Sequence, residues 1–535
     1  MKAIKRRINQ GSALKGSYFL LFSLAIMMIY TSSSTLYVTN PWVDSNSFMT
    51  MGRGIWYGLV PYRDLFEQKG PILYFMHTIG YLLSPGQFWG VYVLQSFAMT
   101  INIIYFYKTA RLFLAERIAF TLSFFVPVMI LNTYFHYGNS AEEFALPAIF
   151  ILLYTIFKTK RQEEFSFSNK ELFAQGALLS YVFWIKYSLI GGWVAFILFY
   201  AGYLLIKKEF TKLWHGLLFG IGGFLSVSLP ILIYFAINRA LFYLFDVYFV
   251  INMTTYAQGG TPFIRLFEAI RILLEVYRNY LFVSLITIIG LGILIYTKRL
   301  VKDKKIQAML LLVFLGTGML QYYGGIAFHY YFLIMTPFIS LGIWGIAKLL
   351  ADKKLIFPEQ WTRSTLWLTL ASAFILPLSG NNNITHSHLF PQNDYIQIEH
   401  WQNTSPNSGL TAQQYFAQII NEVPNATLLN YGFLDGGFYL AANILPSNRF
   451  MMINNIPHWS FPQMWNEQTA IIAQQQVDFV VVRISIDDEI PERGRFYPDQ
   501  VNFNLLNEYY ELVAAHAQLL EGWEIMYLLY QVNSN

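Results

Sequence analysis

The sequence predicts a polytopic α-helical membrane protein with a smaller α/β domain at its C-terminal end. Three observations carry that prediction. Of the 535 residues, 55% are hydrophobic and 13% charged, against about 25% charged in ordinary soluble domains. The apolar residues gather into runs of roughly 20, the length that crosses a bilayer as a helix. From Ser379 onward these runs vanish, Asn and Gln become frequent, and short β-like stretches alternate with helical ones.

The basic stretch MKAIKRRINQGSALKG precedes an apolar run from Tyr18 to about Tyr37. That run is too long for the apolar region of a signal peptide and lacks a small-x-small cleavage site, so it reads as a retained first membrane helix at 17–37. Further spans are expected near 88–107, 118–135, 143–158, 172–190, 191–206, 213–236, 279–297, 306–322, 329–349 and 364–379, about eleven in all. Alternate connections hold 24 of the 36 lysines and arginines, among them Lys5, Arg6, Arg7, Lys108, Arg111, Lys207, Lys208, Lys304 and Lys305. The positive-inside rule makes their side cytoplasmic. The N-terminus is then inside, while the loop 38–87 and the tail from about 380 are outside. Residues 1–379 form the expected membrane domain, and 380–535 the expected extracytoplasmic α/β domain.

Two segments on the outer side read as helices that do not span. PILYFMHTIGYLL (71–83) is too short and suits the interface. Residues 261–278 place Arg265, Glu268, Arg271, Glu275 and Arg278 among apolar residues, as an amphipathic surface helix does. In the tail, ATLLN (426–430), VDFVVVRI (477–484) and EIMYLLYQV (524–532) read as strands, and TAQQYFAQIINEV (411–423) as a helix.

Composition removes several functions. With no cysteine there is no disulfide, thiolate metal site or Cys nucleophile; an outer domain built without disulfides fits a bacterial surface. The net charge of +5 is explained by the cytoplasmic loops and gives no footprint for nucleic acid. No GxxxxGK[ST], HExxH or Cys/His metal spacing occurs. Aromatics reach 18%, which suits interface belts and also a groove for a long lipid.

The residues with chemistry converge on the outer loops. NPWVDSNSFMTMGRGIWYGLVPYRDLFEQKGP (40–71) concentrates Asp44, Arg53, Arg63, Asp64, Glu67 and Lys69 just past the first membrane helix. Asp44 reads either as the N-cap of a helix starting at Ser45 or as a reactive carboxylate. Lys69-Gly70-Pro71 sets Pro71 at the first position of a helix. A Lys there adds to the partial positive charge of the helix start, an arrangement that cradles phosphate; contact with lipid headgroups is the plainer alternative. In NTYFHYGNSAEEFALP, Ser140 and Glu143 have capping-box spacing, and Glu142 is left over for another role. Lys186, near the outer end of a membrane helix, either snorkels or meets an anion. His329 and Tyr330, after Gly324-Gly325, and the turn Tyr431–Gly437 lie on the same side.

These residues resemble the GT-C glycosyltransferases, in particular the bacterial relatives of protein mannosyltransferases and of the lipid A aminoarabinose transferase. The likeness rests on an acidic residue at the end of the first membrane helix, a closing Lys-x-Pro element before a juxtamembrane helix, many spans, and an outer tail. Val60–Pro71, VPYRDLFEQKGP, is its most family-like part, and it covers residues 1–379 in architecture. The resemblance implies a plasma-membrane enzyme that takes a sugar from a polyprenyl-phosphate donor. The acceptor is an outer hydroxyl of a glycan, teichoic-type polymer, glycolipid or protein. It implies inverting transfer with Asp44 as base, and Lys69, with Arg63 and Lys186, on the donor phosphate. Tyr62, Glu67, His329 and Tyr330 complete the expected pocket. Where many of these enzymes carry an Asp-Glu pair, this chain has Asp44-Ser45 and no DxD. Either Asp44 works alone or Glu142 or Glu143 supplies the partner, and a divalent cation stays open. A lipid or polysaccharide transporter, with charges along a path through the bundle, and a non-catalytic envelope assembly protein acting through its tail are the competing classes.

Overall fold

The computed structural model describes residues 2–256, 261–390, 410–485, 501–520 and 523–533, with side chains from Leu14 onward except those of Tyr256, Gln360, Ser485, Leu519, Leu520, Trp523 and Glu524. Lys2, Lys5, Arg6 and Arg7, which support the expected orientation, have side chains outside the described residues. The chain divides into two compact units, each assembled from three segments. The first is Met1–Tyr30, Val93–Ile233 and Gln258–Asn382; the second is Thr31–Tyr92, Tyr234–Ala257 and Asn383–Asn535.

The first unit is helical. Among the described residues five helices are long and apolar enough to cross a membrane: Trp89–Ala110, Tyr187–Ile206, Phe210–Ile237, Lys304–Tyr322 and His329–Asp352. A sixth arises if Pro262–Asn279 and Leu281–Thr297, bent by 111°, form one broken span. The chain is thus a polytopic membrane protein. Several expected spans take another form. Residues 118–135 break into Glu116–Ser123, Val126–Ile130 and a 3-10 turn Thr133–Phe135, with Pro127 in the second piece unable to donate a helical hydrogen bond. Residues 172–190 end as a helix at Phe183, and Tyr187–Ile190 instead begins the next helix. Residues 364–379 give Arg363–Ile375 followed by a 3-10 turn at Pro377. The amphipathic segment 261–278 is the helix Pro262–Asn279, capped by Thr261, with Arg271 paired to Glu268 and Glu275. Helices approach closely where side chains are absent: a Cβ on Gly191 would stand 1.9 Å from the Gly316 carbonyl oxygen, the small-residue contact that membrane helices favour.

The second unit joins the loop 31–92 to the tail. Two of its helices are α2 (Val43–Trp56) and α3 (Pro71–Leu83), counting Lys2–Tyr30 as α1. Asp44 lies in the first turn of α2 and Arg53 in the last, each where the helix dipole favours its charge. Trp42, not Asp44, occupies the cap position, so the capping alternative for Asp44 is not the structure adopted. α2 and α3 pack main chain to main chain: a Cβ on Gly52 would lie 2.5 Å from the His77 carbonyl carbon. The short segment 71–83 is therefore half core, burying Pro71, Leu73, Tyr74, His77, Gly80 and Tyr81.

The tail forms a four-stranded sheet of β1 (Leu428–Tyr431), β2 (Phe479–Ser485), β3 (Tyr510–Leu520) and β4 (Trp523–Val532), in the order β1-β2-β4-β3. β1 and β2 are parallel, joined by a crossover that includes the helix Gln463–Ala473, and the other pairs are antiparallel. Leu429, Ile472, Val480, Val482, Leu506 and Tyr510 fill the core beneath it. After β1 the glycine-rich turn reaches α2. Asp435, fully buried, accepts from Thr50 Oγ1 at 2.6 Å and from Gly437 N–H at 2.8 Å. Gly437 adopts φ 87°, open to glycine at little cost. Arg53, also buried, donates to the carbonyls of Tyr439, Asn443 and Ile444.

Candidate active site

Within the second unit the segment 60–71 is clamped before its side chains act. Tyr62 holds φ 69°, a left-handed conformation costly for an aromatic residue, and its ring is fully buried and stacked on Phe235 at 5.6 Å. Its carbonyl accepts from Arg449 Nε at 2.9 Å, and its hydroxyl donates to the Lys69 carbonyl at 2.6 Å. Asn252 holds the Gln68 carbonyl at 2.9 Å. Gly70 then caps α3 in extended conformation with Pro71 at the helix start, as the sequence predicts.

This clamping delivers three charged groups to one place. The Lys69 ammonium stands 3.8 Å from Asp44 Oδ2 and 3.6 Å from Glu67 Oε1. It also lies 5.6 Å from the centre of the Phe48 ring, a cation–π distance. Glu67 is buried. Its Oε2 accepts the Lys69 backbone N–H at 2.7 Å and a short hydrogen bond from the Tyr74 hydroxyl. Burial first, and then the Glu67 charge, raise the Tyr74 hydroxyl well above its usual range, so it remains a proton donor. Asp44 and Lys69 retain 15% and 18% side-chain exposure against 6% for Glu67. The first two form the open edge and Glu67 the floor.

Arg63 turns elsewhere. It grips Asp64 in a two-pronged pair at 2.8 Å and donates to the Asn238 carbonyl at 2.7 Å. Burial raises the Asp64 carboxyl, but the Arg63 hydrogen bond, the Val60 N–H and the Arg63 charge outweigh it and leave Asp64 below its usual value. This pair shapes the turn that presents Lys69.

The remaining candidates belong to the first unit. Glu143 closes the start of the helix Ala141–Lys158: its Oε2 accepts from Asn139 N–H at 2.6 Å and Gln95 Nε2 at 2.9 Å, while its own N–H donates to Ser140 Oγ. Glu142, fully buried, pairs through Oε1 with the Lys186 ammonium at 2.6 Å and accepts from Gln321 at 3.2 Å. The Lys186 ammonium sits 3.4 Å from the centre of the Tyr331 ring. His329 stacks on His136 at 4.6 Å, and Tyr330 on Phe328 at 5.6 Å. Among the described residues no group of three His, Asp or Glu side chains is arranged to hold a metal ion.

Sequence reasoning missed Tyr74, Phe48, Asn252 and Gln321. Tyr74 had a local signal, three residues after Pro71 in the first turn of α3. The others meet their partners only through the fold.

Residues 68–234 match the family model described as dolichyl-phosphate-mannose-protein mannosyltransferase. No curated protein matches the chain. Among solved structures, the chain is similar to ArnT from Cupriavidus metallidurans bound to undecaprenyl phosphate, at 13% identity and TM-score 0.57, covering 97% of this chain and 98% of that one. The apo state of the same protein gives 12% identity and TM-score 0.58, covering 98% of each chain. The chain has the fold of ArnT. The likeness covers 98% of the chain, and the family match begins at Gln68, beside Lys69.

Proposed function

We propose that this protein is a GT-C membrane glycosyltransferase moving a sugar from a polyprenyl-phosphate donor to a hydroxyl acceptor on the outer face of a bacterial plasma membrane. The observation that carries this reading is the convergence of Asp44, Glu67 and Lys69 in a chain with the fold of ArnT. The bound lipid of the ArnT structure supports a lipid-phosphate donor. On this reading residues 1–379 embed the chain and 380–535 stand outside.

The chemistry needs few groups. An acceptor hydroxyl attacks the anomeric carbon from the face opposite the phosphate, and the carbon–oxygen bond to phosphate breaks with inversion. The hydroxyl proton passes to the Asp44 carboxylate; a positioned base of this kind contributes about 10²–10⁴-fold. The leaving group is the lipid phosphate, which gains one negative charge and needs no proton. Lys69 stabilises that charge, and its position before the N-terminus of α3 adds the helix dipole. In the resting protein the Lys69 ammonium lies between two carboxylates, and an arriving phosphate takes up part of that pairing. Glu67, fixed by Tyr74, keeps Lys69 in place. Arg63 supports the turn, and Glu142, Glu143 and Lys186 organise the first unit.

The test is mass spectrometry of lipid intermediates and envelope glycans from cells lacking the protein, complemented with the intact chain or with Asp44→Asn. The expected result is accumulation of a polyprenyl-phosphate sugar in the deletion, cleared by the intact chain and retained with Asp44→Asn. Full clearance by Asp44→Asn would remove Asp44 as base, and no accumulated lipid sugar would remove the reaction class.

A further inference from the structure

A second concavity in the same unit has a different character. It encloses about 560 Å³, within the ~300–1,000 Å³ of small-molecule sites. Its wall runs from Ser32–Asn40 through Asn46 and Gly86–Trp89 to the helix Ala412–Ile420 and the turn Gly436–Gly437. None of Asp44, Glu67 and Lys69 lines it. Asn46 and Asp44 are two residues apart on α2 and so point about 200° apart around the helix. The concavity and the charged site therefore flank the first turn of α2 on opposite sides.

Among the described residues no Asp, Glu, Lys, Arg or His lines this wall; its polar side-chain groups are hydroxyls, the Trp89 indole N–H and six amides, among them Asn46, Gln413, Gln414 and Gln418. The amides are anchored at one end. Gln413 Nε2 donates to the Gly436 carbonyl at 2.8 Å, Asn46 Nδ2 to the Asn40 carbonyl at 3.0 Å, and Gln414 Oε1 accepts from Thr411 N–H at 3.1 Å. Gln413, 7% exposed, keeps a buried Oε1 with no hydrogen-bond partner among the described residues, an acceptor whose desolvation is uncompensated until a donor arrives. Tyr37 and Trp89 add aromatic surface.

This lining selects by chemistry. Among the described residues an anion meets no cation here and a metal or ammonium group no carboxylate, and a hydrocarbon tail would strand the amides. A neutral ligand dense in hydroxyls satisfies donors and acceptors alike and lays its C–H faces on the rings. We propose that this cavity binds a neutral oligosaccharide, holding the glycan acceptor beside the charged site. The acceptor role rests on the glycosyl-transfer reading; the binding itself does not.

The test is equilibrium binding to the full chain in nanodiscs, followed by saturation-transfer NMR and tryptophan fluorescence. The probes are neutral tri- and tetrasaccharides of glucose, galactose, mannose and N-acetylglucosamine, a uronic-acid trisaccharide, and uncharged tripeptides. At least one neutral saccharide is expected to bind saturably, with the uronate and the peptides weaker. Gln418 is exposed and Trp89 is 37% exposed, so Gln418→Ala and Trp89→Ala keep the fold. Each is expected to weaken saccharide binding about fivefold, the worth of one hydrogen bond or ring contact. Asp44→Asn leaves saccharide affinity unchanged, which separates this proposal from the catalytic one. It is overturned by absent saccharide binding, by unaltered affinity in both variants, or by peptides or uronate binding as tightly.

Discussion

The Tyr74 hydroxyl donates to the Glu67 carboxylate and also lies 2.9 Å from the Lys69 carbonyl oxygen. One side chain, from the first turn of α3, thus holds the counter-charge of Lys69 while lying against the backbone that carries it. Removing that hydroxyl leaves a buried carboxylate short of a donor, at a cost of about 1–3 kcal/mol. Tyr74→Phe is expected to fold with a lowered Tm and to raise the donor KM more than it lowers kcat. Unchanged donor KM would assign Tyr74 to packing alone.

Lys69 separates charge from geometry. Lys69→Ala is expected to lose both donor affinity and rate, because the leaving phosphate loses its nearest cation. Lys69→Arg keeps the charge but presents a planar fork in place of a point charge, and should recover part of the affinity. Equal transfer kinetics for Lys69→Ala and the intact chain would exclude the phosphate role.

Asp435 makes stability depend on pH. Burial raises its carboxyl above the ordinary value, against the opposing hydrogen bonds from Thr50, Gly437 and Asn430. The folded state then holds that proton more tightly than the unfolded state. This contribution is fully present below the unfolded value near 3.8 and is lost as pH rises through the folded one. Asp435→Asn should flatten that slope in thermal unfolding followed from acid to neutral pH. An unchanged slope would mean that the carboxyl does not titrate in the fold.

The Glu142–Lys186 pair calls for a double-mutant cycle. Breaking one partner of a buried pair typically costs about 3–5 kcal/mol, because the other charge stays buried alone. Glu142→Gln and Lys186→Met should each lower Tm sharply, and the double variant should recover much of the loss. Additive losses would show that the two side chains act separately.

Part of this was legible in the sequence because it is local. Apolar run lengths gave the membrane character, Gly70-Pro71 gave the start of α3, and three of the four strands and the helix Ala412–Ile420 stood out by period. β3 was missed because its outer end, Tyr510–Leu512, mixes charge with aromatics. Asp44, Glu67 and Lys69 could be nominated from charge in an apolar chain, and the fold brings all three together. That Arg63 would turn to Asp64 was not legible, since it follows from the left-handed backbone at Tyr62. Nor was the break of residues 118–135 into three pieces, although Pro127 was its visible cause.

The contact at Gly52 has a reach beyond its own neighbourhood. Eight residues separate it from Asp44, about 12 Å of helix. A methyl group there would have to wedge α2 off α3, and a tilt of a few degrees at that fulcrum becomes a displacement at the far end of the lever. Since the Lys69 side is moored to α3 and the Asp44 side to α2, the spacing of acid and cation is a mechanical tolerance set by a residue that carries no chemistry. Gly52→Ala is thus the substitution to make when a folded, charge-intact and catalytically misaligned protein is wanted.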